Sequence, residues 1–153
     1  MSYSETNSGI VYIDSRRTGG TGIDIWCIRK MSDETLHAEN LGSTINSTDW
    51  DFNPCIAPDE SYLIFASDRF GRKGLSRLYV SFNKGNGEWT EPVDLNSNGA
   101  LVNSDEANQG GPSLSPDGKY LFFFRHVDET EMDVYWVSTK VIDVIKSGLT
   151  GIN

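Results

Sequence analysis

The chain repeats a pattern in which a polar turn leads into a short, continuous apolar run. The runs occupy residues 62–66 and 120–124, and continuous apolar runs of this length are typical of strands covered on both faces by neighbouring sheets. The turns before them, Pro58–Ser61 and Pro116–Gly118, combine a proline that fixes φ with an aspartate that can bond its own backbone. Each turn therefore predicts a hairpin that leads into a central strand.

Two further strands are predicted to follow each central strand. Residues 78–82 and 134–138 carry the β-branched and aromatic side chains that strands favour. In the second unit the fourth strand is predicted at Trp89–Leu95, and its Pro92 indicates an edge position because proline cannot donate to a ladder. In the last unit we interpret residues 140–146 as the outer strand rather than as a helical turn.

The units are related by nearly constant offsets. The segment Ile13–Arg16, followed by 25–27, returns at 66–69 and 78–80 with an offset of 53 residues. Carrying that offset back to Met1 predicts that the first unit is a whole blade. The third unit follows at an offset of 58 and then 56 residues. We therefore predict an all-β fold, a β-propeller of three four-stranded antiparallel blades at about 1–52, 53–110 and 111–146.

The residues that carry this repeat resemble the TolB-type family of WD-like propeller repeats. The resemblance rests on Ser115–Phe123 and on residues 66–71, and it covers nearly the whole chain. It implies a bacterial propeller of about six blades, of which these three would be the C-terminal half. The family resemblance also suggests a periplasmic or secreted location, although residues 1–8 lack the pattern of a signal peptide.

Half a propeller has a closure problem. An open ring of three blades would expose the apolar faces of its first and last blades. A C2 homodimer would cover both faces and complete six blades, so the predicted partner is a second copy of the chain. The alternative is that the chain is a fragment of a larger exported propeller protein.

Charge and cysteine content narrow the partners and the chemistry. The chain has 22 acidic and 13 basic residues and a net charge of −9, with no basic run, which argues against nucleic acid. No stretch approaches the ~20 apolar residues that span a bilayer, so membrane insertion is not expected. Cys27 and Cys55 each stand in a strand-like run without a second thiol or histidine nearby, and both are interpreted as core residues. A disulfide between them stays open.

Charged residues recur where the second strands are predicted to end. They offer candidates for a ligand-binding mouth, because loop charges at one end of a propeller often line one. Arginines that brace neighbouring blades would recur for the same reason, and we favour that structural interpretation. The candidates are Asp14, Arg16, Asp68, Arg69, Arg125 and His126.

The sequence predicts no catalytic residue, no metal site and no cofactor. It has no Gly-x-Ser-x-Gly elbow, and the acidic stretches 49–51 and 105–106 match no calcium loop. Trp50 and Trp89 are weak candidates for exposed stacking. The predicted function is a non-enzymatic binding or scaffold module for a protein, peptide or glycan; the alternative is a carbohydrate-active hydrolase or lyase, which would need a placed pair of carboxylates.

Overall fold

Three antiparallel sheets follow one another along the chain in a computed structural model that describes residues 2–16, 22–69, 75–126 and 131–149. The first sheet has the order β1-β2-β3-β4, the second has β5-β6-β7-β8 with β9 also on β7, and the third has β10-β11-β12. The strands are β1 (Tyr3–Glu5), β2 (Val11–Arg16), β3 (Ile23–Lys30), β4 (Leu36–Asn40), β5 (Asp51–Ile56), β6 (Tyr62–Ser67), β7 (Arg77–Gly85), β8 (Glu88–Trp89), β9 (Val93–Asp94), β10 (Asn108–Leu114), β11 (Tyr120–His126) and β12 (Met132–Ser138). Each sheet is one blade, and the prediction of an all-β propeller fold is confirmed.

Short helical segments connect or end the blades. Helix α1 (Gly42–Ile45) lies between the first two blades, and a 3₁₀ turn (Ser97–Gly99) lies between the second and third. Helix α2 (Lys140–Ser147) follows β12, so the prediction of an outer strand at 140–146 is wrong. The helix forms because Ile142 and Ile145, one turn apart, face the same core, where both are buried.

Alternation along the central strand explains its continuous apolar run. Leu63 and Phe65 point from β6 into a core cluster shared with the first blade, whereas Ile64 and Ala66 point into a cluster shared with the third. All four side chains are fully buried. Neither face of β6 therefore meets water, and every position along it is apolar.

The register corrects the constant offset between the first two blades. Ile13 pairs with Trp26, as Phe65 pairs with Tyr79, so the two pairs are equivalent. This relates the third strands by 53 residues but the second strands by 52. The first unit therefore lacks one residue between its second and third strands, where a loop tolerates the deletion, and Ser67 corresponds to Ser15 rather than to Asp14.

The turns that enter the second strands all require a left-handed residue. Gly9, Glu60 and Gly118 stand at this position with φ of 83°, 62° and 70°. Glycine adopts this conformation at no steric cost, whereas a glutamate is strained there by about 1–2 kcal/mol. Glu60 therefore needs a compensating contact, which its side chain makes.

Both cysteines are buried and free. Burial raises the pKa of the Cys55 thiol to about 11. Cys27 and Cys55 lie in different core clusters, which agrees with their interpretation as small core residues. None of the helices in the described ranges has the length and apolar character needed to cross a membrane.

Candidate functional site

The ends of the second strands and the residues just after them form what we call the rim. It comprises the six residues that the sequence analysis proposed as ligand candidates: Asp14, Arg16, Asp68, Arg69, Arg125 and His126. The structure divides this set. Three members are used in contacts between blades, and three are left at or near the surface.

Asp14 joins the first blade to the second. Its carboxylate accepts hydrogen bonds from the backbone N–H and hydroxyl of Ser2, at 3.0 and 2.5 Å, and from the backbone N–H of Asn53 at 3.0 Å. Burial alone would raise the pKa of Asp14, but these bonds outweigh it and lower the pKa. Asn53 in turn accepts from the N–H of Gly111, at 3.1 Å, so one residue links all three blades.

Arg69 is buried at the junction of the first two blades. Its guanidinium donates to Asp51 at 2.6 Å, to the hydroxyl of Ser67 at 2.9 Å and to the carbonyl of Ile45. It also lies over the rings of Phe65 and Tyr79, 5.0 and 5.5 Å from their centroids. With its side chain 9% exposed and that of Asp51 0% exposed, Arg69 has little surface left for a ligand.

Arg125 does the same work at the next junction from a different strand position. It donates to the carbonyl of Val102 at 2.7 Å, and its guanidinium lies over the rings of Tyr135 and Phe123, 4.4 and 5.7 Å from their centroids. By register Arg125 occupies the place of Ser67, not of Arg69. The third blade therefore keeps the bracing arginine although its sequence lacks the Ser-Asp-Arg motif.

The remaining rim residues are Arg16, Asp68 and His126. Arg16 is exposed, and Asp68 and His126 are half-buried. Burial and the neighbouring carboxylates of Asp49 and Asp51 raise the pKa of Asp68. These three residues come from three different blades, and no contact in the described ranges brings them together as one site.

The two tryptophans proposed for stacking have different environments. Trp50 is 50% exposed, in the linker that leads into β5, and its carbonyl accepts from the N–H of Asp68 at 3.0 Å. Trp89 is 7% exposed and packs edge-on against Tyr12. Trp50 stays available at the rim, whereas the expectation of an exposed ring at Trp89 is wrong because the first blade covers it.

The first strands of the three blades contact one another and line an axial groove of about 470 Å³. Prolines at 54, 58, 112 and 116 pave this groove, together with small side chains such as Ser4 and Ser115. Proline offers no backbone N–H, so this wall is protected against pairing with further strands. Among the described lining residues Glu5 is the single carboxylate.

A second cleft, of about 410 Å³, lies on the junction of the first two blades and contains Glu60. The carboxylate of Glu60 accepts from the hydroxyl of Tyr12 at 2.5 Å and from Arg29 at 3.3 Å. The Tyr12 ring is fully buried, and burial together with the Glu60 carboxylate raises the pKa of its hydroxyl. This interaction across the junction offsets the strained backbone of Glu60 and explains why glutamate replaces glycine there.

The described residues bring no three His, Cys, Asp or Glu side chains close enough to hold a metal ion. His37 lies exposed on β4, opposite Arg29, and far along the chain from His126 at the end of β11.

Comparison with known proteins supports the fold. The structure is similar to that of a putative TolB from Agrobacterium tumefaciens, with a TM-score of 0.63 and 15% identity over 91% of this chain and 45% of the other. It is also similar to TolB from Acinetobacter baumannii, with a TM-score of 0.59 and 17% identity over 91% of this chain and 30% of the other. A scan of family models and a search of curated proteins gave no match. The chain has a TolB-like propeller fold and spans less than half the length of these two proteins.

Proposed function

We propose that this protein is a non-enzymatic binding or scaffold module that completes its propeller ring with a second copy of itself. The observation that carries the proposal is the open face of the third blade. There, large apolar side chains stand exposed at positions that the neighbouring blade covers in the second blade.

The register makes the correspondence residue by residue. Phe122 pairs with Trp136 as Ile64 pairs with Val80, and Phe124 pairs with Val134 as Ala66 pairs with Leu78. Ile64, Val80 and Leu78 are fully buried against the third blade. Phe122, Trp136 and Val134 are 38%, 62% and 71% exposed. A contiguous apolar face of this kind marks an interaction surface.

The open face of the first blade offers the complementary side. Val11, Ile13 and Trp26 occupy the places of Leu63, Phe65 and Tyr79, which in the second blade are buried against the blade before it. All three of the first-blade residues are only half-buried. The two end faces therefore have the chemistry of the two sides of one blade junction.

A C2 axis along the propeller axis would bring these faces together twice. The third blade of each copy would pack on the first blade of the other, so both junctions would be identical and the assembly would close without exposing either face. This arrangement would give six blades around a complete channel. The axial groove would become that channel, with a wall of prolines and serine hydroxyls.

The chemistry of the groove favours binding over hydrolysis. Neutral, rigid and weakly polar walls suit an extended polypeptide or a glycan held by shape and a few hydrogen bonds. Hydrolysis of glycosides would need two facing carboxylates, and the described lining supplies Glu5 alone from each copy. The charges at the two junctions are used to brace blades.

Light scattering on the purified chain tests the proposal. We expect a mass of twice the 17.0 kDa of one chain at micromolar concentration. Trp136→Lys should give a monomer with unchanged circular dichroism, because it places a charge in the centre of the closing junction. Leu101→Lys is the matched control, since Leu101 is 85% exposed but lies in the linker before the third blade.

A wild-type chain that stays a well-folded monomer at high concentration would overturn self-association. The exposed face would then be covered by further blades of a longer polypeptide. A dimer that Trp136→Lys leaves intact would show that the copies associate through another surface.

A further inference from the structure

In the first two blades an asparagine from the following linker holds the outer edge of the third strand. Asn46 accepts from the backbone N–H of Ile25 at 2.7 Å and donates to its carbonyl at 3.0 Å. Asn103 makes the same two bonds to Leu78, at 2.9 and 2.8 Å. The side-chain amide takes the place of a strand partner, and all four bonds are buried. We call this arrangement the asparagine clamp.

The residue before each clamp has its own role at the blade junction. Ile45 and Val102 are buried β-branched residues, and their carbonyls accept the guanidinium of the next blade's bracing arginine, Arg69 or Arg125. An Ile-Asn or Val-Asn pair thus ties the linker to the blade it leaves and to the blade it enters.

The third blade presents the same edge position without a clamp in the described ranges. Val134 pairs with Phe124 as Leu78 pairs with Ala66 and Ile25 with Asp14, so Val134 is the equivalent position. The part of the chain that the structure describes places no strand on the outer side of β12. An unpaired peptide next to the apolar face of Trp136 and Val134 has a cost that proteins normally remove.

The sequence contains a third pair of the same type. Ile152-Asn153 matches Ile45-Asn46 and Val102-Asn103. Asn153 follows Val134 by 19 residues, and the two clamps follow their strand positions by 21 and 25 residues. Leu149, the last described residue, packs against the core as Leu41 does before the first clamp. Four extended residues span up to about 14 Å, nearly three strand spacings.

We propose that the segment 150–153, which lies outside the described residues, supplies the clamp of the third blade, with the Asn153 side chain bonding the peptide of Val134. The proposal rests on the repeat of the clamp and on the open edge of β12. It does not depend on ring closure, because the contact lies within one chain.

Amide hydrogen exchange of Val134, followed by NMR, tests the proposal. Asn153→Ala removes both bonds and should speed exchange of the Val134 amide by at least about tenfold, because a buried hydrogen bond is worth a kcal/mol or more. Asn153→Asp keeps an acceptor for the N–H but removes the donor, and it should give an intermediate rate. Thr150→Ala is the control within the same segment and should leave the rate unchanged.

Asn103→Ala sets the scale, since it must speed exchange at Leu78 if the method detects a clamp. Unchanged exchange at Val134 in Asn153→Ala, with faster exchange at Leu78 in Asn103→Ala, would overturn the proposal. Light scattering on Asn153→Ala separates this result from the proposed function: we expect the oligomeric state of the wild-type chain.

Discussion

Replacing Arg69 with methionine tests whether the charged residues of the rim brace the blades or wait for a ligand. Methionine keeps an unbranched chain that can pack on Phe65 and Tyr79 but removes every donor of the guanidinium. Asp51, which is fully buried, would retain its bonds from the N–H and hydroxyl of Ser47 and from the hydroxyl of Ser67. Its charge would lose the only cation within bonding distance among the described residues.

The expected cost is about 3 kcal/mol. Removing one partner of a buried ion pair destabilises by about 3–5 kcal/mol, because the other charge stays buried without compensation. The three remaining bonds to Asp51 place Arg69→Met at the lower end of that range. For a chain of about 150 residues this corresponds to a fall in Tm of about 6–12 °C.

Urea denaturation followed by tryptophan fluorescence measures the change. Lys84→Met is the matched control: its ion pair with Glu88 is exposed and 3.8 Å long, so the free energy of unfolding should change by less than about 0.5 kcal/mol. Adding Asp51→Asn to Arg69→Met should recover about 2 kcal/mol, because the buried charge is removed together with its partner.

Equal urea midpoints for Arg69→Met and Lys84→Met would refute this reasoning. Arg69 would then contribute nothing to the junction and would be available for a ligand, as the alternative interpretation of the sequence holds. Loss of stability without recovery in the double variant would locate the cost in the contacts with the rings and with Ile45 rather than in the ion pair.

Two further predictions concern residues near the junctions. Glu60→Gly relieves a strained φ by about 1 kcal/mol but leaves the buried hydroxyl of Tyr12 without its acceptor, which costs about 1–3 kcal/mol, so thermal unfolding should show a net loss; a gain would mean that the bond from Tyr12 contributes little. Asp68→Asn should raise the free energy of unfolding at pH 7, because a raised pKa means that the folded chain disfavours the charged carboxylate. That gain should vanish as pH falls below the ordinary value of 3.8, where both states are protonated, and a gain that persists at pH 3 would contradict a charge effect.

The sequence was sufficient to predict the central strands and their turns because each has one physical cause. Burial on both faces makes residues 62–66 and 120–124 apolar throughout, and the left-handed turn position favours glycine, as at Gly118. The edge position of Pro92 was also predictable, although the proline divides the expected strand into β8 and β9.

The helix α2 could not be predicted from local preference. Residues 141–145 contain four β-branched side chains, which favour a strand. Tertiary packing decides the outcome, because helical spacing places Ile142 and Ile145 together on the core shared by the second and third blades. The missing residue in the first blade was equally hidden, since the offset of 53 holds for its third strand and fails by one in its second.

The bracing arginines show why the site could not be derived from the repeat motif. Arg69 follows β6 and Arg125 lies within β11, yet both guanidinium groups bond a linker carbonyl and lie over an aromatic pair. What recurs is the place of the charge at the junction, not its position in the sequence. Since Asp14, Arg69 and Arg125 are used to hold blades together, the rim keeps few charges for recognition. Selectivity for a ligand would then fall to the shape of the axial groove and to whatever Trp50, Asp68 and His126 contribute at its edge.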